Sequence, residues 1–340
     1  SILMCSIVVV AQTKYTDFKN YVFEGLPVQV NSFVEDIDGQ LWFGTSRGLY
    51  SYDGKTARCR VDEGGQVYSL IIVGDTVFIG ADEGLLKMDI PSGETMMIDK
   101  RHCHTIRAML MGQDGKLYLG AADGLFCYSD GQLIQINDNS SLQLSNSTIY
   151  SLASFDEDNI FIGTYNGLCL FNQRHSRITN VDIPFYINKS NCFVNSLLAD
   201  SLYVWIGLEG ELLRYSKKQC KVERTDIAYG NSIKSLAKDI NSNLLIGTDN
   251  GLFVLDTTEH LTHIVHNAKY SNSLVGNIVW SLFSDRQGNV WIGSDYGVSM
   301  ADMNDRFTSV SEITGLPDGN TFYAIMSDCH NRLWLGGSNG

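Results

Sequence analysis

Seven residues that recur at intervals of roughly 40 positions carry the side chains best suited to binding chemistry. None is aliphatic, and each stands directly before a serine or an alanine: Asn31, Tyr68, Arg107, Tyr150, Asn195, Lys234 and Trp280. Aromatic rings stack on flat apolar surfaces of a ligand, whereas amide and cationic groups supply hydrogen bonds and positive charge. Gathered around one opening, these side chains predict a site for a polar ligand with flat apolar faces. The alternative is that they fill the end of the fold and bond to neighbouring backbone.

The elements that must position these residues are copies of one unit, which is clearest in residues 284–298, SDRQGNVWIGSDYGV. Asp285 and Gly288 form a tight turn, residues 290–292 are an apolar strand, and a second turn ends at Gly297. The glycine that ends the apolar strand recurs about every 42 residues, which is the period of four-stranded propeller blades. Its copies are Gly44, Gly80, Gly120, Gly163, Gly207, Gly247, Gly293 and Gly336.

This periodicity predicts an all-β fold, because apolar residues alternate or run in fours and helical periodicity is hard to find. We expect residues 12–320 to form a seven-bladed β-propeller of four-stranded antiparallel blades. Residues 321–340 are expected to begin a further blade or a second propeller, and an eight-bladed ring is the alternative. A strand within residues 15–23 is expected to complete the last blade from outside, because an unlatched ring leaves two sheet edges open.

Two columns of the repeat are predicted to be structural. Small residues are expected next to the propeller axis, where neighbouring sheets converge and a large side chain overpacks. They are Ser32, Ser69, Ala108, Ser151, Ser196, Ser235 and Ser281. The bulky residues of the central strand are expected in the core, and they are Trp42, Phe78, Tyr118, Phe161, Trp205 and Trp291, with Leu245 in the sixth repeat. In the fifth repeat Glu211 replaces the usual glycine, which predicts a different turn there.

The second turn of each repeat adds three candidate ligand-binding residues. This turn is predicted to emerge at the same end of the blade as the seven recurring residues. Most of its residues are ordinary turn formers. Arg47, Tyr165 and Tyr296 exceed what a turn needs, and they join the candidate ligand-binding residues.

Composition and motifs narrow the function further. A net charge of −13 repels phosphate backbones, so we expect no nucleic-acid partner. The eight cysteines show no C-x-x-C spacing, and no nucleophile elbow, zinc-binding helix or phosphate loop is present. The sequence therefore predicts no catalytic residue, no metal and no cofactor.

The beginning of the chain carries an apolar run. Residues 1–11 are predicted to be the remnant of a secretory signal peptide, cleaved near Ala11, and a buried strand is the alternative. No other run is long enough to cross a bilayer.

The repeat resembles that of a known family. The pattern Asp-x-x-Gly-x-hydrophobic-Trp-Ile-Gly-Thr-x-x-Gly-Leu, with segments such as YSNSLVGNIVWSL at residues 270–282, looks like the two-component regulator propeller repeat. The resemblance covers the chain from about residue 20, although several copies have lost the tryptophan or the aspartate turn. No ligand residue carries over, because the shared motif is structural.

The resemblance implies a function that the spacing of residues does not supply. Members of this family form the periplasmic sensor of hybrid histidine kinases, and many respond to oligosaccharides released from glycans. It therefore implies a non-enzymatic sensor fragment that binds an oligosaccharide and belongs to a homodimeric receptor, with the membrane and kinase parts outside this sequence. Two alternatives remain: a propeller enzyme similar to streptogramin lyases, and a purely structural protein-interaction ring.

Overall fold

The computed structural model describes residues 15, 17–21, 28–62, 64–99, 103–136, 144–184, 192–303, 322–327 and 333–337. Within them the regular structure is entirely β-strand. The chain divides into two compact units, Ser1–Met303 and Asn304–Gly340.

The first unit contains seven four-stranded antiparallel sheets, which are the blades of a propeller. Blades one to three consist of β2 (Val30–Glu35), β3 (Leu41–Thr45), β4 (Gly48–Tyr52), β5 (Ala57–Val61), β6 (Val67–Val73), β7 (Thr76–Ala81), β8 (Gly84–Asp89), β9 (Thr95–Asp99), β10 (Ala108–Met111), β11 (Leu117–Ala121), β12 (Gly124–Ser129) and β13 (Gln132–Gln135).

Blades four to six follow the same order. They consist of β14 (Ile149–Ser154), β15 (Asn159–Thr164), β16 (Gly167–Asn172), β17 (Arg177–Val181), β18 (Val194–Ala199), β19 (Tyr203–Leu208), β20 (Leu212–Ser216), β21 (Lys221–Arg224), β22 (Ile233–Lys238), β23 (Leu244–Thr248), β24 (Gly251–Leu255) and β25 (Leu261–Ile264).

The seventh blade joins both ends of the unit. It consists of β26 (Val279–Ser284), β27 (Val290–Ser294), β28 (Gly297–Ala301) and the N-terminal strand β1 (Lys19–Tyr21), which pairs antiparallel with β28. The first strand of each blade packs against the first strand of the next, and β26 packs against β2. The ring is therefore closed with seven blades, and the prediction of an N-terminal strand that completes the last blade is confirmed.

The second strand of each blade forms the core. All five residues of β3 and of β27 are buried, because this strand has a neighbouring blade on both faces. The bulky side chains predicted as core are buried, including Trp42, Phe161 and Leu245. The repeated aspartate turn serves them, since the Trp42 indole Nε1 donates to Asp36 at 2.9 Å.

The glycine column lets neighbouring blades approach closely. A Cβ atom placed on Gly44 would lie 2.4 Å from Oγ of Ser32 and 2.6 Å from Cγ1 of Val67, the first residue of the next blade. Four serines of the small-residue column then bond neighbouring blades together, namely Ser69, Ser151, Ser235 and Ser281. Oγ of Ser281, for example, donates to the carbonyl oxygen of Val30 at 2.8 Å. Small residues are thus needed for a hydrogen bond across the interface as well as for space.

The N-terminal segment is held by side chains as well as by strand pairing. The Asn20 side chain accepts from Ser299 Oγ at 2.7 Å and donates to the carbonyl oxygen of Ser273 at 2.7 Å. The Tyr15 hydroxyl donates to Asp239 in the sixth blade at 2.7 Å. In that blade Leu245 stands where blades one, five and seven have a tryptophan, so Tyr15 supplies the donor that a tryptophan provides in those blades.

The remaining predictions about the fold have separate outcomes. The fifth blade has the different turn that Glu211 predicts: Leu208 N–H donates to the carbonyl oxygen of Glu211, and Gly210 has φ of +95°. The second unit contains an antiparallel hairpin of β29 (Phe322–Ser327) and β30 (Leu333–Gly337). Its assignment as the start of a further blade stays a prediction, and residues 1–11 lie outside the described residues.

Candidate functional site

A β-bulge positions the seven recurring residues, which we call the ring residues. In the first blade Val30 pairs with Thr45 and Ser32 pairs with Gly44, so Asn31 is an extra residue without a partner in the ladder. The same step occurs in five further blades, at Tyr68, Tyr150, Asn195, Lys234 and Trp280. A bulge turns the side chain of the extra residue away from the regular alternation of the strand. In the third blade Arg107 directly precedes β10, and its N–H donates to Gly120.

The bulges lie at one end of the propeller, which we call the rim. The turn between the second and third strands meets the start of the first strand there, as shown by the bond from Ser46 N–H to the carbonyl oxygen of Gln29 at 3.0 Å. All seven ring residues are partly buried. The geometry therefore places the predicted candidates at a common end of the fold, one from each blade.

Arg107 is held between two aromatic rings from the neighbouring blades. Its guanidinium carbon lies 5.3 Å from the ring centre of Tyr68 and 4.7 Å from that of Tyr150. The Tyr68 hydroxyl donates to Asp82 at 2.9 Å. Burial and this hydrogen bond raise the pKa of Tyr68 to about 12, so its phenol stays neutral. Blades two, three and four thus contribute one group of a cation and two aromatic rings.

An aromatic cluster continues from this group. Tyr165, a turn candidate, lies 6.4 Å from Tyr150 between ring centres. Phe193 contacts both rings, at 4.3 Å from Tyr150 and 5.4 Å from Tyr165. Phe193 directly precedes β18 and was not among the residues predicted from the sequence. The repeat offered a signal for it, since Phe193 occupies the connection between blades that leads to the rim.

Lys234 and Trp280 form a second cationic and aromatic pair, in blades six and seven. The Lys234 Nζ lies 5.4 Å from the centre of the Trp280 ring. It also lies 3.9 Å from Oε1 of Glu209, an exposed carboxylate. Such a long pair in water contributes little free energy.

The Asn31 side chain has a structural role. Its Nδ2 donates to the carbonyl oxygen of Val67 in the next blade at 2.8 Å, and its Oδ1 accepts from Gln29 at 2.7 Å. In the first blade, therefore, the alternative of bonding to neighbouring backbone applies.

Three ring residues have a buried donor atom without an acceptor among the described residues: Nη1 of Arg107, Nδ2 of Asn195 and Nε1 of Trp280. Each such donor costs about 1–3 kcal/mol of stability when it stays unpaired. They come from blades three, five and seven. The rim is thus the part of the propeller where several strong donors from different blades are left unused.

The other two turn candidates stand apart from these groups. Arg47 and Tyr296 are exposed in the turns of blades one and seven. Neither makes an aromatic stacking contact or an ion pair within the described part of the chain. The structure brings Tyr165 against a ring residue, and it does not bring Arg47 or Tyr296 into such contact.

The described residues show neither a metal-binding cluster nor a membrane-spanning helix. They contain no group of three or more His, Cys, Asp or Glu side chains arranged to hold a metal ion. Among the same residues, no helix has the length and apolar character needed to cross a bilayer.

The fold and the rim define a seven-bladed propeller built from aspartate-turn repeats, with unused donors at one end. The model of the two component regulator propeller family matches residues 25–47 and 273–296. The chain belongs to the two-component regulator propeller family.

Solved structures extend this result. The chain is similar to the extracellular domain assigned to the hybrid two component system BT4673 from B. thetaiotaomicron, with 36% identity and a TM-score of 0.79 over 96% of this chain and 45% of that one. The corresponding domain of BT3049 from the same organism is 17% identical, with a TM-score of 0.74 over 91% of this chain and 45% of that one. This chain thus spans slightly less than half the length of both.

An enzyme shares the fold. Virginiamycin B lyase from Staphylococcus aureus is 11% identical, with a TM-score of 0.62 over 83% of this chain and 97% of that one. At that identity the likeness extends to the fold alone. None of the curated proteins matches the sequence.

Proposed function

We propose that this propeller is a periplasmic sensor domain of a hybrid two-component histidine kinase and that its rim binds an oligosaccharide. The observation that carries the proposal is the set of unpaired donors on Arg107, Asn195 and Trp280, of which Arg107 lies against the aromatic rings of Tyr68 and Tyr150. A sugar offers the complementary surface, because its ring oxygens and hydroxyls accept hydrogen bonds and its C–H faces pack on aromatic rings. The similarity to extracellular domains of two-component systems supports the location.

The relay of the signal belongs to parts of the receptor outside this chain. In this proposal the propeller itself is not an enzyme, and binding at the rim is passed to membrane and kinase segments of a homodimeric receptor. The ring suits such a task because each blade contacts its two neighbours, so a change at the rim acts on a continuous set of interfaces.

The test is a thermal-shift screen of the 340-residue chain against neutral and acidic oligosaccharides from plant and animal glycans. A ligand that binds the native state raises the melting temperature by mass action. For a ligand that stabilises the wild type, the double variant Arg107→Ala, Trp280→Ala is expected to lose most of the shift. The matched control is Arg58→Ala, Leu202→Ala, because Arg58 is exposed on β5 and Leu202 is exposed in a turn at the opposite end of its blade.

The outcomes separate the proposal from its alternatives. Loss of the shift in the rim variant alone supports the rim site. An equal shift in the rim variant and in the control moves the ligand to another surface. Hydrolysis or elimination of a panel member that stops with a chelator contradicts the non-enzymatic sensor and favours the lyase-like alternative.

A further inference from the structure

Arg107 is restrained in a way that leaves its hydrogen-bonding edge unused. Its guanidinium carbon lies 5.3 Å from the ring centre of Tyr68 and 4.7 Å from that of Tyr150, and these rings belong to the blades on either side. A cation–π contact uses the charge of a guanidinium, whereas hydrogen bonds to a ligand use its N–H groups. The two ring contacts therefore restrain the guanidinium, while its Nη1 donor has no acceptor among the described residues.

The structure supplies no acidic partner for this cation. Within the described residues, no carboxylate forms an ion pair with Arg107, and its Nη1 is buried without an acceptor. The carboxylate of Asp82 is committed elsewhere, since it accepts from the Tyr68 hydroxyl and from the Gln66 N–H. A buried charged donor that lacks a partner is costly, and the cost is recovered when an anion binds it.

The other unpaired groups of the ring are donors as well. Nδ2 of Asn195 and Nε1 of Trp280 lack acceptors, and Lys234 adds a second cation beside Trp280. Among the described residues at the rim, two carboxylate oxygens have no hydrogen bond. Oδ1 of Asp295 belongs to blade seven, across the ring from Arg107 in blade three, and Oε2 of Glu211 in blade five forms an ion pair with Arg224 at 3.2 Å. The ring thus favours an acceptor-rich, negatively charged group near blade three.

We infer that the ligand is an anionic saccharide whose carboxylate or sulfate group binds the edge of Arg107. This inference rests on the proposed function and narrows its substrate class. A planar carboxylate takes two parallel hydrogen bonds from the fixed guanidinium, and a sulfate offers the same pair of oxygens. Tyr68 and Tyr150 keep the guanidinium oriented before the ligand arrives, which lowers the entropy cost of binding.

The experiment is isothermal titration calorimetry on the 340-residue chain with matched probes. The panel consists of di- and trisaccharides of galacturonate, glucuronate and mannuronate, each beside its carboxyl-reduced form, and sulfated disaccharides beside their desulfated forms. We expect an acidic probe to bind at least tenfold more tightly than its neutral counterpart. Comparison of the uronate probes with the sulfated probes shows whether Arg107 binds a carboxylate or a sulfate.

Variants test whether Arg107 causes the difference in affinity between acidic and neutral probes. Arg107→Gln is expected to weaken binding of the acidic probe roughly 10- to 100-fold and to remove the preference over the neutral form. Arg107→Lys keeps the charge but loses the paired donors, so its affinity is expected to lie between the two. Arg58→Gln changes the net charge equally on an exposed strand and is expected to bind like the wild type.

The possible failures are distinguishable. If a neutral probe binds as tightly as its acidic form, or if Arg107→Gln leaves the preference intact, the anionic inference is wrong and the rim sensor stands. If no probe of either kind binds the wild type, the proposed function fails together with the inference. The comparison of probes on the wild type needs no variant, so a folding defect at Arg107 does not prevent a result.

Discussion

Two tryptophans of the seventh blade show how its two ends differ. Trp291 lies in the second strand and is buried, and its indole Nε1 donates to Asp285 at 2.8 Å. Trp280 lies at the rim, only eleven positions earlier, and its Nε1 has no acceptor among the described residues. The indole N–H of a tryptophan is therefore hydrogen-bonded at the end of the blade that carries the aspartate turn, which we call the turn end. At the rim the indole N–H of Trp280 has no acceptor among the described residues.

The difference extends around the ring. At the turn end, Trp42 and Trp205 also donate to an aspartate of their own blade, at 2.9 Å each. At the rim, Arg107 and Asn195 share the unpaired state of Trp280. The aspartate and tryptophan that recur in the repeat thus stabilise the fold, whereas the variable ring residues at the rim keep donors that a ligand can use.

The largest expected effect comes from a substitution that prevents blades one and two from packing closely at Gly44. Gly44→Val is expected to destabilise the protein by about 3 kcal/mol or more, because the new side chain collides with Ser32 and Val67. Gly54→Ala is the control, since no atom lies within 4 Å of its added Cβ and the cost comes from φ of +89° alone. Chemical denaturation measures both. Equal losses would contradict the packing role of Gly44.

The comparison itself is tested by changing each tryptophan to phenylalanine. Trp291→Phe is expected to cost about 1–3 kcal/mol, because Asp285 loses a buried donor. Trp280→Phe is expected to stay within about 0.5 kcal/mol of the wild type, since it removes a donor that has no acceptor. Urea denaturation of the two variants gives the comparison. A larger loss at Trp280 would mean that its indole N–H is satisfied in solution.

Acid is expected to lower the stability that the aspartates of the turn end contribute, and Asp200 is the example. Burial alone would raise the pKa of Asp200, but hydrogen bonds from Lys238 and Trp205 outweigh it and lower that pKa to about 2. Because the folded pKa lies below the unfolded value of 3.8, the carboxylate stabilises the fold above about pH 4, and the contribution disappears as the pH falls through 2. Asp200→Asn is expected to cost ~1–2 kcal/mol at pH 7. Denaturation at pH 7, 4 and 2.5 should show the difference shrinking, and a constant difference would contradict this assignment.

The smallest expected effect concerns the serines between blades. Ser281→Ala is expected to cost about 1 kcal/mol, because its hydroxyl bonds blade seven to Val30 of blade one. Ser196→Ala should be neutral, since Oγ of Ser196 has no hydrogen-bond partner in the described structure. Melting temperatures of the two variants provide the measurement, and an equal decrease would show that the serine column acts through packing alone.

Most of the fold could be predicted from the sequence, because the information is repeated. The glycine period gave the four-stranded blade, and the buried aromatic positions such as Trp42 and Phe161 followed from the copies. The choice of seven blades over eight came from the pairing of β1 with β28. Contacts that occur once escaped prediction. The bond from Tyr15 to Asp239 joins positions 224 residues apart, and only the closed ring brings them together.

The site was predictable in position and less so in detail. The register of the repeat placed the ring residues at the rim, but the bulge that turns their side chains is a property of the backbone. Sequence also gave no means to separate Asn31, which bonds to the next blade, from Asn195, whose Nδ2 remains unpaired. That distinction depends on side-chain orientation within a three-dimensional setting.

The pairing of β1 with β28 in the seventh blade has a consequence for chain synthesis. Asn20 and Ser299, which hydrogen-bond to each other there, are 279 positions apart, so the segment around Asn20 stays unpaired until the seventh blade has been synthesised. Contacts between such distant positions form slowly, and an unpaired strand edge invites association with other chains. We therefore expect single blades to form early during translation and the ring to close late and slowly. Chaperones that bind the open strand edge of the seventh blade are expected to reduce aggregation until then.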